Sequence, residues 1–150
     1  MKPLIVLILT FIVAAFALKV VQGHHHLALA GRIALSVMLV FTAIGHFIYT
    51  KGMVMMVPPS IPMKVQLVYF TGVFEILAAV GLLIDGFKVF TGWALIVFFI
   101  LLLPANIYAA IRHIDYQRAD FKGPGVNYLW FRISLQLFFV GWTYISTVRF

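Results

Sequence analysis

Long apolar runs, too uniform to present a wetted face in any direction, leave this chain essentially one kind of fold. A bilayer core is crossed by a helix of about 20 apolar residues, and five runs of about that length occur: Pro3 to Val21, Leu27 to Tyr49, Val65 to Ile84, Val89 to Ile111 and Val126 to Val148. In hydrocarbon every backbone N–H and C=O must be satisfied internally, so only helices and closed barrels span. Segments this long and this uniformly apolar are not barrel strands, which alternate lipid-facing and lumen-facing residues. The expected fold class is therefore all-α, a transmembrane helical bundle. Composition agrees: 64% of residues are hydrophobic and 10% charged, against about 25% charged in soluble domains.

A formal charge of +7 would point to nucleic acid in a soluble protein. Here the basic residues lie mostly near span ends, where they meet lipid headgroups and set orientation, so no nucleic-acid partner is expected. One side of the membrane would hold Lys2, Lys51, Lys64, Arg112, Arg118, Lys122 and Arg132, the other Lys19, Arg32, Lys88 and Arg149. That excess favours the first side as cytoplasmic. There is no cysteine, which excludes a disulfide, a thiolate nucleophile and a Cys-ligated metal.

The segments between the runs divide the chain. Residues 1–26 read as an N-terminal anchor with a short loop, and residues 27–150 as the main membrane domain. The first run has a rival reading as a secretory signal, since Lys2, an apolar core and Ala15-Phe16-Ala17 fit one. Its continuation to Val21 favours retention. Lys51 to Lys64, with Pro58, Pro59 and Pro62, is expected to be a surface loop or re-entrant segment, because proline breaks a regular helix interior. Pro104 should interrupt the fourth run. Arg112 to Gly125 is the longest polar piece.

Five costly residues sit inside the apolar runs: His46, Glu75, Asn106, Arg132 and Gln136. An ionisable group at the centre of a spanning helix costs on the order of 2.5–3.5 kcal/mol even on the lenient scale, so it faces a partner or a cavity. With alternating helices and about 1.5 Å of rise per residue, His46, Asn106 and Arg132 fall roughly 5–9 Å below one face, and Glu75 and Gln136 roughly 15 Å. All five share one half of the bilayer, beneath the proline-rich segment and the long polar loop. Arg132 and Gln136, Thr42 and His46, and Thr71 and Glu75 are each four apart, hence on one helix face. Gly45 and Gly72 remove bulk beside His46 and Glu75. Together these place a polar vestibule, open to one side, with the five residues as candidate ligand contacts. A structural alternative pairs Glu75 with Arg132 as a tie between spans. Asn106 and Gln136 also suit interhelical bonding; Tyr49, Tyr69, Tyr108, Tyr128 and Trp130 suit an interfacial belt, or in part the lining of the vestibule mouth.

Two conspicuous clusters carry less. His24-His25-His26 lies at the opposite face, and three adjacent imidazoles diverge, against a single chelate. Met53, Met55, Met56 and Met63 suit adaptable apolar filler better than a soft copper site. No metal site is expected. No Gly-rich phosphate loop, nucleophile elbow, HExxH or CxxC is present, so an autonomous enzyme is not expected.

In order and spacing, several pieces resemble the DoxX-like family of small integral membrane proteins. They are Gly45-His46-Phe47, Met56-Val57-Pro58-Pro59-Ser60-Ile61-Pro62, Thr71-Gly72-Val73-Phe74-Glu75-Ile76, Leu103-Pro104-Ala105-Asn106-Ile107 and Phe131-Arg132-Ile133-Ser134-Leu135-Gln136. The resemblance covers about residues 27–148 and implies a four-helix core, to which the first span is an addition. It also implies a bacterial inner-membrane location and a place in membrane redox systems, including a quinone-linked oxidoreductase subunit; an animal relative resembles an assembly chaperone. Two functions follow as expectations. One is a quinone- or lipid-binding accessory subunit of a redox complex, with quinone as the possible cofactor. The other is a scaffold whose polar network only fixes helix packing. Lipid isomerisation by Glu75 and His46 is a more remote third.

Overall fold

The computed structural model describes residues 2–24 and 26–150. It is an all-α bundle: α1 Lys2–Gln22, α2 Leu27–Ile48, α3 Thr50–Met56, α4 Lys64–Gly81, α5 Lys88–Leu101, α6 Leu103–Ile111 and α7 Val126–Thr143, which runs on as a π-helical turn Tyr144–Arg149. No strand forms among the described residues; Asp115 and Asp120 make an isolated pairing. Four helical spans among them, Lys2–Gln22, Leu27–Ile48, Lys64–Gly81 and Lys88–Ile111, are long and apolar enough to cross a membrane. The chain is a membrane protein. The fifth expected span is helical too, but Asn127, Arg132 and Gln136 keep it out of that apolar set.

One expectation needs correction. Lys51 to Lys64 is not irregular throughout: its first half is helix α3, and the chain turns only from Val57 to Met63, where the prolines are. Nothing in Thr50–Met56 opposes a helix, and Gly52 lets it lie directly on the backbone of Tyr116, where a Cβ would clash. At Pro104 the chain does break, α5 ending at Leu101 and α6 starting at Leu103 with proline in its first turn, where proline's missing N–H is harmless.

Helix α2 is the hub, flanked by α1 and α4 and touched by the π-helical turn; α5 and α6 lie on α7, and α3 bridges α4 and α6. The core runs through Leu35, Met38 and Leu39 of α2, Ala78 and Ala79 of α4, and Leu95, Phe98 and Phe99 of α5. Helix α1 adds Leu7 to that core and sets Phe11 edge-on against Trp142 at 5.0 Å, so it is packed as part of the bundle. Lipid is as apolar as these side chains, so association rests on close fit rather than on hydrophobic burial. The fit is close at the end away from the long loop. There Gly92 leaves no room for a Cβ against Thr147, and one on Gly31 would meet Ser146 Cβ at 3.0 Å. The hydroxyls of Thr143, Ser146 and Thr147 donate to carbonyls one turn back, at 2.8, 2.8 and 2.6 Å, and so need no water.

The same end carries a pin. Arg32, 7% exposed, donates to Asp85 Oδ1 at 3.0 Å, with the Leu82 carbonyl at 3.5 Å and Lys88 at 3.9 Å from the same carboxylate. This joins the start of α2 to the α4–α5 turn. The hydrogen bond from Arg32, then the charges of Arg32 and Lys88, hold the Asp85 carboxyl below its ordinary value.

Two outcomes are expected. Gly92→Ala should cost about 1–3 kcal/mol in reversible unfolding from detergent, as overpacking does, whereas Gly86→Ala, with open space around its Cβ position, should be near neutral. Because the folded-state value of Asp85 is depressed, its stabilisation is present above the ordinary carboxylate range and lost as pH falls through the folded value. Asp85→Asn should therefore lower the melting temperature at neutral pH, with the gap to wild type closing on acidification.

Candidate functional site

Helices α2 and α4 approach where Gly72 faces the His46 side chain; a Cβ on Gly72 would meet His46 Cβ at 2.9 Å and the Phe47 ring at 3.3 Å. That approach brings His46 Nε2 to 3.5 Å from Glu75 Oε2. On its other side the ring is held at Nδ1, 3.1 Å from the Val68 carbonyl and 3.1 Å from Thr71 Oγ1. These contacts at Nδ1 fix the ring's orientation and leave Nε2 facing the carboxylate. Glu75 is 4% exposed, and its Oε2 is buried without a hydrogen-bond partner. A group of this kind in hydrocarbon requires either a partner or a role.

A second polar wall lies on α6 and α7. Arg132 Nη1 donates to Asn106 Oδ1 at 3.2 Å, and Asn106 Nδ2 approaches Gln136 Oε1 at 3.5 Å. Gln136 Nε2 donates to the Phe99 carbonyl at 2.7 Å, just ahead of the break before Pro104. The Arg132 guanidinium also lies 5.5 Å from the centre of the Tyr128 ring, within cation–π range. The sequence alternative that joins Glu75 to Arg132 is not formed: Glu75 faces His46, and Arg132 binds Asn106.

Between the walls is a cavity of about 1040 Å³, lined by all five predicted residues. Ligand sites commonly measure about 300–1,000 Å³, so this one sits at the upper limit. Its floor is aromatic, with Phe74 and Phe98 at 4.8 Å between ring centres. Helices α4 and α5 touch sparingly, and the cavity reaches Phe70 on one and Phe90, Val97 and Leu101 on the other, all exposed on the lipid-facing surface. The site thus opens sideways toward the bilayer as well as upward. Above it, Tyr116 and Gln117 form a lid. The lid is ordered by Asp115, whose carboxylate accepts the Gln117 N–H at 2.9 Å, and by Gly123, whose N–H donates to the His113 carbonyl at 2.7 Å.

Sequence reasoning did not find Lys2 as a lining residue, nor the Val68 and Phe99 carbonyls as anchors; backbone acceptors have no residue signature, and Lys2 arrives only because α1 runs antiparallel to α2. Gly45 meets Met53 in ordinary contact, so of the two glycines only Gly72 sets the helix approach. His24 lies at the opposite end of the bundle, and His25 falls outside the described residues.

If Gln136 ties α7 to α5 as the 2.7 Å bond indicates, Gln136→Leu should cost about 0.5–2 kcal/mol, the range for interhelical bonds in membranes. Unfolding measured in bicelles would check it.

The chain belongs to the family DUF8561, a domain of unknown function whose pattern matches residues 35–147. That stretch contains both polar walls and leaves out α1. No curated protein matches the chain, and no solved structure matches it.

Proposed function

We propose that this DUF8561 member binds a membrane-soluble amphiphile, a quinone or a lipid, in the cavity between its two polar walls, and serves a membrane redox complex as an accessory subunit. The observation that carries the reading is the Glu75 carboxylate, buried at 4% exposure with no hydrogen bond closed at Oε2, whose contact with His46 Nε2 is 3.5 Å long, on the wall of a cavity of about 1040 Å³. A carboxylate that only braced the bundle would be expected to have its hydrogen bonds made. The slot between α4 and α5 suits a ligand that arrives through the bilayer, with its polar atoms held by Arg132, His46 and Asn106 and a proton exchanged with Glu75. The redox role rests on the resemblance to DoxX-like proteins. So does the location, a multi-pass protein of a bacterial cell membrane, while the excess of basic residues on the cavity's side favours a cytoplasmic open face.

Solvent extraction and mass analysis of protein purified in mild detergent test this. Wild type should release an apolar molecule in near-stoichiometric amount, and Glu75→Gln, folded by circular dichroism, should release several-fold less. Wild-type retention by Glu75→Gln contradicts the reading.

One observation favours a scaffold instead: the α6–α7 wall satisfies itself, Arg132 on Asn106 and Gln136 on the Phe99 carbonyl. A scaffold would capture a partner protein that survives Glu75→Gln and is lost when Arg112–Lys122 is altered.

A further inference from the structure

A second cavity, of about 290 Å³, lies beneath the 112–125 loop and is lined by Lys2, Asp115, Tyr116, Gln117, Tyr128 and Arg132, with Ile114 and Pro124. Lys2, Tyr116, Gln117, Tyr128 and Arg132 line the large cavity as well, so the two adjoin, a small polar chamber above a large apolar one. Two cations enter the chamber from different helices, Lys2 from α1 and Arg132 from α7. Among the described residues neither has a carboxylate within 4.0 Å. The one carboxylate in the lining, Asp115, is already engaged: it accepts the backbone N–H of Gln117 and Arg118 and has Arg118 Nε at 3.9 Å. The chamber is therefore electropositive. It already orients its guanidinium, since Asn106 takes one Arg132 N–H and the Tyr128 ring supports the plane, leaving other donors of the fork free.

Resting on the amphiphile reading above, we infer that the ligand is an anionic lipid: a phosphate or carboxylate head bound between Lys2 and Arg132, its acyl tail in the cavity lined by Phe74 and Phe98 and reaching the bilayer between α4 and α5. Arg presents a planar fork that matches an oxyanion, and Lys a mobile point charge; the two together suit a head that carries net negative charge. A free anion would gain the head contacts but leave the large chamber empty, so the tail is part of what is recognised. The assignment also gives α1 a purpose in the site, the delivery of Lys2 to a chamber otherwise built from residues 114–132.

Native mass spectrometry of the full chain in neutral detergent tests this, with phosphatidylglycerol, oleate, phosphatidylcholine of the same acyl chains and inorganic phosphate as probes. Phosphatidylglycerol, oleate or both should bind at least about tenfold more tightly than phosphatidylcholine, as for a charge-assisted bond worth about 1.4 kcal/mol or more. Preference for the first indicates a phosphate head, for the second a carboxylate. Lys2→Gln, at an exposed position, and Arg132→Gln should each remove most of that margin. Arg118→Gln, whose side chain is 76% exposed, should keep it. The inference is overturned if phosphatidylcholine binds as well as the anionic lipids, if inorganic phosphate alone competes as well as they do, or if Arg118→Gln costs as much as Lys2→Gln. Equal binding of all lipids, together with a co-purifying ligand that Glu75→Gln loses, overturns only the acidic head. No lipid binding and no co-purifying ligand overturns the amphiphile reading with it.

Discussion

Glu75 is the residue around which the membrane half of this protein is arranged, because a carboxylate in hydrocarbon must be answered by its neighbours. The answer is a chain of local choices. Gly72 lets α4 close on α2, which puts His46 beside the carboxylate. The Val68 carbonyl and Thr71 fix the ring at Nδ1 and leave Nε2 for Glu75. At 3.5 Å that contact does not close a hydrogen bond to Oε2. The opposite wall spends its polar groups on itself and on the Phe99 carbonyl, and so holds α6 and α7 apart from α4. The space between is the cavity.

The two ends of the bundle divide the labour. At the end away from the loop, glycine against threonine and serine, and Arg32 against Asp85, bring α2, α5 and the π-helical turn into close contact. At the loop end Gly72 still closes α4 on α2, but α4 and α5 touch sparingly and aromatic rings line the gap. Close fit elsewhere allows that gap, since helix association in lipid depends on packing and interhelical bonds rather than on expelling water.

Most of the helical architecture is readable in the sequence, because hydrocarbon admits so few backbone solutions and because Pro104 and the prolines after Val57 mark real breaks. Helix α3 is not readable in that way: its seven residues are too few to show a period, and its contact with Tyr116 through Gly52 is tertiary. For the site, the cost of polar groups in apolar runs picks out His46, Glu75, Asn106, Arg132 and Gln136, and all line one cavity. Their pairing is not legible. Counting depth puts Glu75 and Arg132 within plausible reach, but which carboxylate meets which donor depends on helix rotation, and Gly72 decides that in favour of His46. Lys2 escapes notice because a cation at the start of an apolar run is what any span carries.

The central claim, that the space between the two walls admits a membrane-soluble amphiphile, is tested most directly by photolabelling in bilayers with a lipid that carries a diazirine on its acyl tail. The account predicts label on Phe74 and on Phe98, which is only 8% exposed and lines the cavity floor, and loss of that label when unlabelled ligand is in excess. Label confined to outward-facing residues such as Leu9, Phe16 and Leu77, with Phe74 and Phe98 unmarked, would contradict it.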